Sequence, residues 1–398
     1  MQNRTFLFIW LGHIISVLGD GFTSTALGFW IVKTTGSASA MAMVMTARVA
    51  AGILLGAVAG TVADRVDRRR LMIAMDVLRF IMAGGIAYLM FAGSLSLPVL
   101  IGLATLTAVC GQFFSPAFQA SLVNIVDKDE VPKAAGLLQM SNVLAQVGGP
   151  LLGGTVVAFF GGWAALSGDA VSFLISALLI LTGGVFASPR TAGQTGKSFW
   201  ADLKEGLVYI RSQPMVKSVV TLAPVINFFG ATLGVLIPVI AIKIWKTTSF
   251  QFGATSAALP LGFAIGAGLI MAMSKKIRHR GWVMMGAMIA SGLVIAAAAL
   301  APSISVALPL MLMVGIGLAL VNVLFQITLQ AEVPTEVQGR VFGTLGSLVS
   351  LASPLSMLAA GFLGDAFSPA LIAAIAGISI AVTAVGGLLT FPALRSYN

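Results

Sequence analysis

The sequence predicts an all-α membrane protein: twelve transmembrane helices arranged as two six-helix halves. Three observations lead there. Hydrophobic residues make up 58% of the 398 positions and charged ones only 9%, with a mean hydropathy of +1.01; a soluble domain carries about 25% charged residues, so lipid must be the main solvent. Residues 218–242, 247–274 and 281–331 contain no charge at all. A crossing needs roughly 20 apolar residues, so these stretches hold one span, one span and a pair. Finally, the longest polar interruption, 188–213, falls between two groups of six such segments. Backbone amides in lipid must be satisfied internally, which leaves helices or a closed barrel. Long unalternating apolar runs exclude the barrel.

Taken in order, helix 1 is predicted at 6–32. Its apolar stretch is too long for a signal-peptide core and lacks a small-residue cleavage site, so it is expected to remain in the mature protein. Helix 2, at 37–62, carries Arg48 near its middle. Helix 3 follows at 71–91, with Asp76 and Arg79 three residues apart near its start. Helix 4, at 97–126, holds Cys110, the one cysteine; an internal disulfide is impossible and a packing role is expected. Helix 5 is predicted at 134–160 and helix 6 at 163–187. Residues 1–187 thus form an N-terminal bundle. The segment 188–213 reads as a central loop: linker composition first, then Phe199, Leu203, Leu207 and Ile210 on one helical face, as in an amphipathic helix lying on the membrane surface. Residues 214–398 form the C-terminal bundle, with helices at 216–242, 247–273, 281–301, 304–330, 341–364 and 369–394.

The net charge of +10 is explained by topology. With an even number of spans both termini lie on one side. Assigning that side and its loops to the cytoplasm collects every lysine and arginine except Lys33, Lys243, Lys246 and Arg48, as the positive-inside rule requires. A nucleic-acid partner is therefore not expected; membrane lipid is. The halves also echo one another: Phe118-Gln119 and Phe325-Gln326, Lys133 and Arg340, Gly136 and Gly343 share an offset of 207 residues.

Two motifs carry a mechanistic reading. Gly60-Thr61-Val62-Ala63-Asp64-Arg65-Val66-Asp67-Arg68-Arg69-Arg70 resembles the major facilitator signature G-x-x-x-D-R-x-G-R-R/K, with Asp67 in the second glycine slot. It reads as a gate. Gly60 permits close helix approach, Asp64 can face the positive N-terminus of a neighbouring helix, and Arg65, Arg68 and Arg69 can exchange carboxylate partners between states. The resemblance implies that Asp64 docks at the start of helix 11, near Val341. Asp76 and Arg79 either extend this network or form a simple intrahelical pair. Gly149-Pro150-Leu151-Leu152-Gly153-Gly154 in helix 5 resembles the antiporter motif G-x-x-x-G-P-x-x-G-G, with Ala145 at the first glycine. Proline bends the helix and the glycines let a neighbour approach. In the drug-exporter branches this motif accompanies export. Leu18-Gly19-Asp20, Ser115-Pro116-Ala117-Phe118-Gln119, Gly162-Trp163, Asp169 and Ser353-Pro354-Leu355 are further similar to the macrolide-efflux and siderophore-exporter branch. Helix 4 lacks the intramembrane arginine of the better-known drug/proton antiporters.

Charges within the bilayer are costly and usually functional. Asp20 stands sixteen residues after Arg4, hence roughly 24 Å along helix 1, a depth similar to Arg48, and the two are expected to be able to pair. Burial favours a neutral carboxyl and a nearby arginine favours a charged one, so Asp20 can load a proton in one conformation and release it in another. A static structural pair is the alternative. Asp169 is expected near the outer surface, as a second coupling candidate or a helix cap. His13 reads as a relay or as a packing residue. Phe22, Trp30, Asn142, Gln146, Asn227, Asn322 and Gln326 are the candidate substrate wall; few charges and 18 methionines suit a lipophilic ligand.

These readings converge on a monomeric, proton-driven exporter of lipophilic small molecules in the inner membrane, both termini cytoplasmic, acting by alternating access without a cofactor. A nutrient symporter or a lipid translocator on the same fold are the alternatives. No phosphate-binding Gly-x-x-x-x-Gly-Lys-Ser/Thr loop, metal-spaced cluster or nucleophile–base arrangement points to an enzyme.

Overall fold

The computed structural model describes residues 4–183, 209–210, 212–273 and 279–396. Among them are twelve helices long and apolar enough to cross a membrane. In chain order they are α1 (Arg4–Thr35), α2 (Ala38–Arg65), α3 (Arg68–Phe91), α4 (Leu97–Ile125), α5 (Val131–Phe160), α6 (Gly162–Thr182), α7 (Pro214–Lys243), α8 (Ser249–Met273), α9 (Arg280–Ala299), α10 (Ile304–Glu332), α11 (Thr335–Ala366) and α12 (Pro369–Thr390), with a five-residue α13 at Pro392–Ser396. The expected amphipathic helix of the central loop falls almost wholly outside the described residues.

The spans match the sequence expectation; their ends run longer where charge had marked a boundary. α11 starts at Thr335 rather than residue 341, and α5 at Val131 rather than 134. Charged residues limit what lipid can cover but do not stop a helix from projecting into water. At the other terminus α12 stops at Thr390, ahead of Pro392, which has no N–H to continue the ladder.

The chain divides into two compact units. The first comprises Met1–Gly36, Met43–Gln194 and Thr247–Ala257; the second comprises Ser37–Ala42, Thr195–Lys246 and Ala258–Asn398. Within the first, α1 packs on α5 and α6, and α3 packs on α4 and α6. Within the second, α7 packs on α11 and α12, and α9 packs on α10 and α12. Adding six to each helix number turns one set into the other, so the sequence echo is a repeat of packing. Parallel repeats of this kind build major facilitator transporters.

Each unit buries small and apolar side chains inside and leaves large apolar ones outside. Leu54, Phe159 and Met271 are among the most exposed, at 75–80%, as expected for faces whose solvent is lipid. Helix ends are closed by arginine. Arg69 donates from Nε to the Ile180 carbonyl (3.2 Å) and from Nη2 to that of Leu181, at the C-terminus of α6. Arg395 does the same for Leu388 and Leu389 at the end of α12. Carbonyls there have no intrahelical donor, and the cation meets the negative end of the dipole. Arg69→Ala should therefore lower the thermal unfolding midpoint of the purified protein in detergent, at a cost of about 1–2 kcal/mol. Arg70→Ala, whose side chain is exposed, should leave it unchanged.

Candidate functional site

Charged residues deep in the first unit gather around one guanidinium. Arg79 lies eleven residues beyond Arg68, roughly 16 Å into α3, and is 7% exposed. It is thus a membrane-embedded charge rather than part of the cytoplasmic collection to which topology assigned it. Its Nη1 stands 3.5 Å from Oδ1 of Asp76, one turn earlier and fully buried. The ring of Phe114 (α4) lies 4.8 Å from the guanidinium carbon and that of Phe173 (α6) lies 5.1 Å away. Aromatic faces compensate a cation where water is excluded. Of the two readings open for Asp76 and Arg79, the structure gives the intrahelical pair, turned inward and away from the gate loop.

Two further carboxylates face this cation. Asp20 (α1) is partly exposed and lies within the electrostatic reach of both Arg79 and Arg48. No ion pair joins Arg48 to Asp20 among the described residues, so the expected pairing is replaced by a looser arrangement around Arg79. Asp169 lies two turns inside α6 and is 1% exposed. Thr23 of α1 donates its hydroxyl to Oδ2, and Ser172 approaches Oδ1 at 3.4 Å. A side chain at Gly19 would collide with both Asp169 and Ser172, so the Gly19-Asp20 pair lets α1 close on α6 here. His13, two turns before Asp20 on the same face of α1, meets Asn142 Oδ1 at 3.2 Å and stacks on Phe118 with ring centroids 4.2 Å apart.

The gate loop is tied down by Arg68 and Arg69. Arg68 is buried, donating to the carbonyls of Ala63 (3.4 Å) and Ala120 (3.3 Å) and pairing with Asp64 at 3.4 Å. Asp64 itself is 61% exposed, and Arg65 is exposed beside it. Asp67, in the place of the family's glycine, caps α3 by accepting from the Arg70 amide at 2.8 Å. Two expectations change. Gly60 faces open space rather than a neighbouring helix. Val341 is fully buried inside α11, so the free amides at the start of that helix lie at Thr335, one and a half turns earlier.

The helix 5 motif is a backbone contact on two sides. Side chains at Gly149 or Gly153 would meet Gly21 and Phe22 of α1 at 3.0 and 2.8 Å. One at Gly154 would meet the Ser249 carbonyl at 2.6 Å and the Gly253 Cα of α8 at 3.2 Å. The Pro150 carbonyl accepts from Thr25 at 3.4 Å. Small residues here bring the backbones of three helices into direct contact.

The candidate substrate wall separates into two groups. Asn227 donates to the Val349 carbonyl (3.0 Å) and to Ser353 (2.7 Å), joining α7 to α11; Asn142 is held by His13. Phe22 and Trp30 are half-buried, while Gln146 of the first unit and Asn322 and Gln326 of the second are exposed. Gln326 donates to Asn322 at 3.3 Å, and Gln119 donates to Ser115 at 3.1 Å. The two pairs are related by the same offset of 207, a correspondence carried by Ser115 and Asn322 despite their different identity.

Twelve spans in two units that repeat one packing scheme, with charge held inside the bundle, define a membrane transporter of the major facilitator superfamily. The chain belongs to the family described as transmembrane secretion effector, whose profile matches residues 1–397. It is similar to macrolide efflux protein A of Streptococcus pyogenes, 21% identical over 371 residues covering 90% of this chain and 89% of that one. It is 25% identical over 413 residues to the multidrug efflux pump Tap of Mycolicibacterium fortuitum, covering 98% and 97%. The enterobactin exporter EntS of Citrobacter koseri is 24% identical over 400 residues, covering 100% and 94%. Among solved structures, the nucleoside transporter NupG superposes with a TM-score of 0.77 at 13% identity, covering 98% and 99%. A bacterial homologue of the human lysosomal transporter Spinster gives 0.67 at 15%, covering 100% and 96%. Those likenesses establish the fold. The chain is a multi-pass transporter, not an enzyme.

Removing one partner of a buried ion pair leaves an uncompensated charge at a cost of about 3–5 kcal/mol, whereas replacing both by apolar residues is often neutral. Arg79→Leu should accordingly lower the unfolding midpoint sharply, and adding Asp76→Leu should recover most of the loss. Equal loss in both variants would mean that the cation matters for packing rather than for charge.

Proposed function

We propose that the protein exports lipophilic small molecules, of drug, macrolide-like or siderophore-like kind, from the cytoplasm by proton antiport and alternating access. The observation that carries this reading is the set of three carboxylates, Asp20, Asp76 and Asp169, around the single guanidinium of Arg79. Ionisable groups are retained in a bilayer interior where they serve transport. Asp20 is the partly exposed member of the set, and in this reading it is the proton carrier. The charged groups that act on it are Arg48 on α2, Asp76 and Arg79 on α3 and Asp169 on α6. Protonating Asp20 leaves Arg79 to the other two carboxylates, and losing the proton restores the competition. The α1–α6 contact at Gly19 lies within this set, which links proton occupancy to helix packing.

Export is supported by the helix 5 motif, packed backbone to backbone on α1 and α8, and by relatives that are efflux proteins. A lipophilic substrate suits the half-buried Phe22 and Trp30 of the first unit, whose exposed Gln146 can supply a hydrogen bond; in the second unit Asn322 and Gln326 are the exposed amides. The basic loops support a reading with both termini on the cytoplasmic side of the inner membrane, and the protein is read as a monomer.

Uptake of lipophilic dyes and macrolides into inside-out vesicles, with and without an imposed proton gradient, tests the reading. Gradient-dependent accumulation is expected in wild type and should fall in Asp20→Asn to the level seen without a gradient. Accumulation that survives the substitution would move coupling to Asp76 or Asp169. No accumulation of any compound would sink the export reading, leaving nutrient symport or lipid translocation. Pro150→Ala should insert normally yet export more slowly; unchanged transport would reduce the motif to packing.

A further inference from the structure

The last turn of α11 ends in Gly361-Phe362-Leu363-Gly364-Asp365, a Gly-x-x-x-Asp spacing identical to that of Gly60-Thr61-Val62-Ala63-Asp64 at the end of α2. In both helices the aspartate is the penultimate residue. Because successive spans run in opposite directions, α2 ends on the side of the chain termini, while α11, an odd-numbered span, ends on the opposite side. The two elements therefore sit at opposite membrane faces.

Their states differ. Asp365 is engaged within the second unit: its carboxylate accepts from the backbone amides of Ala38 (2.6 Å) and Ser39 (2.9 Å) and from the hydroxyls of Ser37 and Ser39 (2.6 Å each). These are the unsatisfied first donors of α2, where a helix also presents positive potential. Gly361 makes the approach possible, since a Cβ there would collide with Ala42 and stand 2.9 Å from the Ser39 Cα. Among the described residues Gly60 has nothing opposite its own missing Cβ, and Asp64 is exposed and bonded to Arg68 alone. One copy is closed, the other open.

We propose that Gly361 and Asp365 form a second latch, equivalent to the Gly60–Asp64 element and placed at the opposite face, and that the protein cycles by engaging one as it releases the other. This rests on the alternating-access reading above. Asp365 is a detachable cap: charge-assisted bonds hold it strongly, yet four hydrogen bonds to one helix end release together, with no interlocked side chains to unpack.

The test uses full-length protein in liposomes with Cys110→Ala, Ala38→Cys and Gly364→Cys. A Cβ at Gly364 lies 3.1 Å from that of Ala38, so mild oxidation should cross-link the pair rapidly. Adding Asp365→Ala should slow cross-linking about tenfold or more, the scale set by losing charge-assisted bonds. Gly361→Val should slow it as well, by steric exclusion alone. Asp64→Ala should act in the opposite sense, partly restoring the rate in the Asp365→Ala background. A rate indifferent to Asp365 and Gly361, or one shifted the same way by Asp64→Ala and Asp365→Ala, would overturn the proposal. Cross-linking needs no substrate. Rates that follow the expected pattern in protein that exports nothing would uphold the latch and refute export, whereas export arrested by the cross-link and restored by reductant would uphold both.

Discussion

A guanidinium in a bilayer has no water to turn to, and the first unit is organised around meeting that demand for Arg79. Its compensation comes from three helices: Asp76 on its own, Phe114 on α4 and Phe173 on α6. The packing of α3 on α4 and α6 is thus an electrostatic requirement as much as an apolar one. Asp169 then needs its own donors: Ser172 supplies one from its own helix, and Thr23 supplies the other because Gly19 admits α1. One buried cation fixes the relations of four helices.

Two kinds of helix contact serve different ends. At Gly149, Gly153 and Gly154 backbone meets backbone, a close contact that carries no side chain of its own across the seam. At Asp365 a carboxylate meets a ring of donors, which is directional, strong and all-or-none. The first kind permits movement and the second selects among its end points. A transporter needs both, since a joint that only slides has no defined states and one that only locks has no path between them.

Apolar run length and charge spacing made the twelve spans readable from sequence, because the bilayer constrains length and charge more tightly than water does. Side-chain direction was not readable. Asp76 and Arg79, three apart on a helix, satisfy an outward pair and an inward one equally, and only the aromatic residues of α4 and α6 decide. Asn227 looked like any amide at membrane depth until Ser353 took its donor. Gly361 and Asp365 were visible as a spacing, yet they lie at the end of a helix where no arginine follows. The eye trained on the full motif passes over them. The Gln119–Ser115 pair was hidden for the reverse reason, its counterpart having asparagine in place of serine.

The duplication is faithful in packing and broken in chemistry. Helix pairs correspond across the units, as do the arginine caps of α6 and α12 and the amide pairs of α4 and α10. Buried charge does not: among the described residues Arg68, Asp76, Arg79 and Asp169 all lie in the first unit, while the second buries only hydroxyls such as Ser218, Thr232, Ser291 and Ser356. Hydroxyl bonds stabilise helix contacts without changing with protonation. On the proposed reading, therefore, only one unit can register a proton, and the other must follow it through contacts whose strength is fixed. A carboxylate cap on a helix end supplies such a contact. Placing it in the unit without buried charge separates the element that senses the driving ion from an element that defines the conformational states.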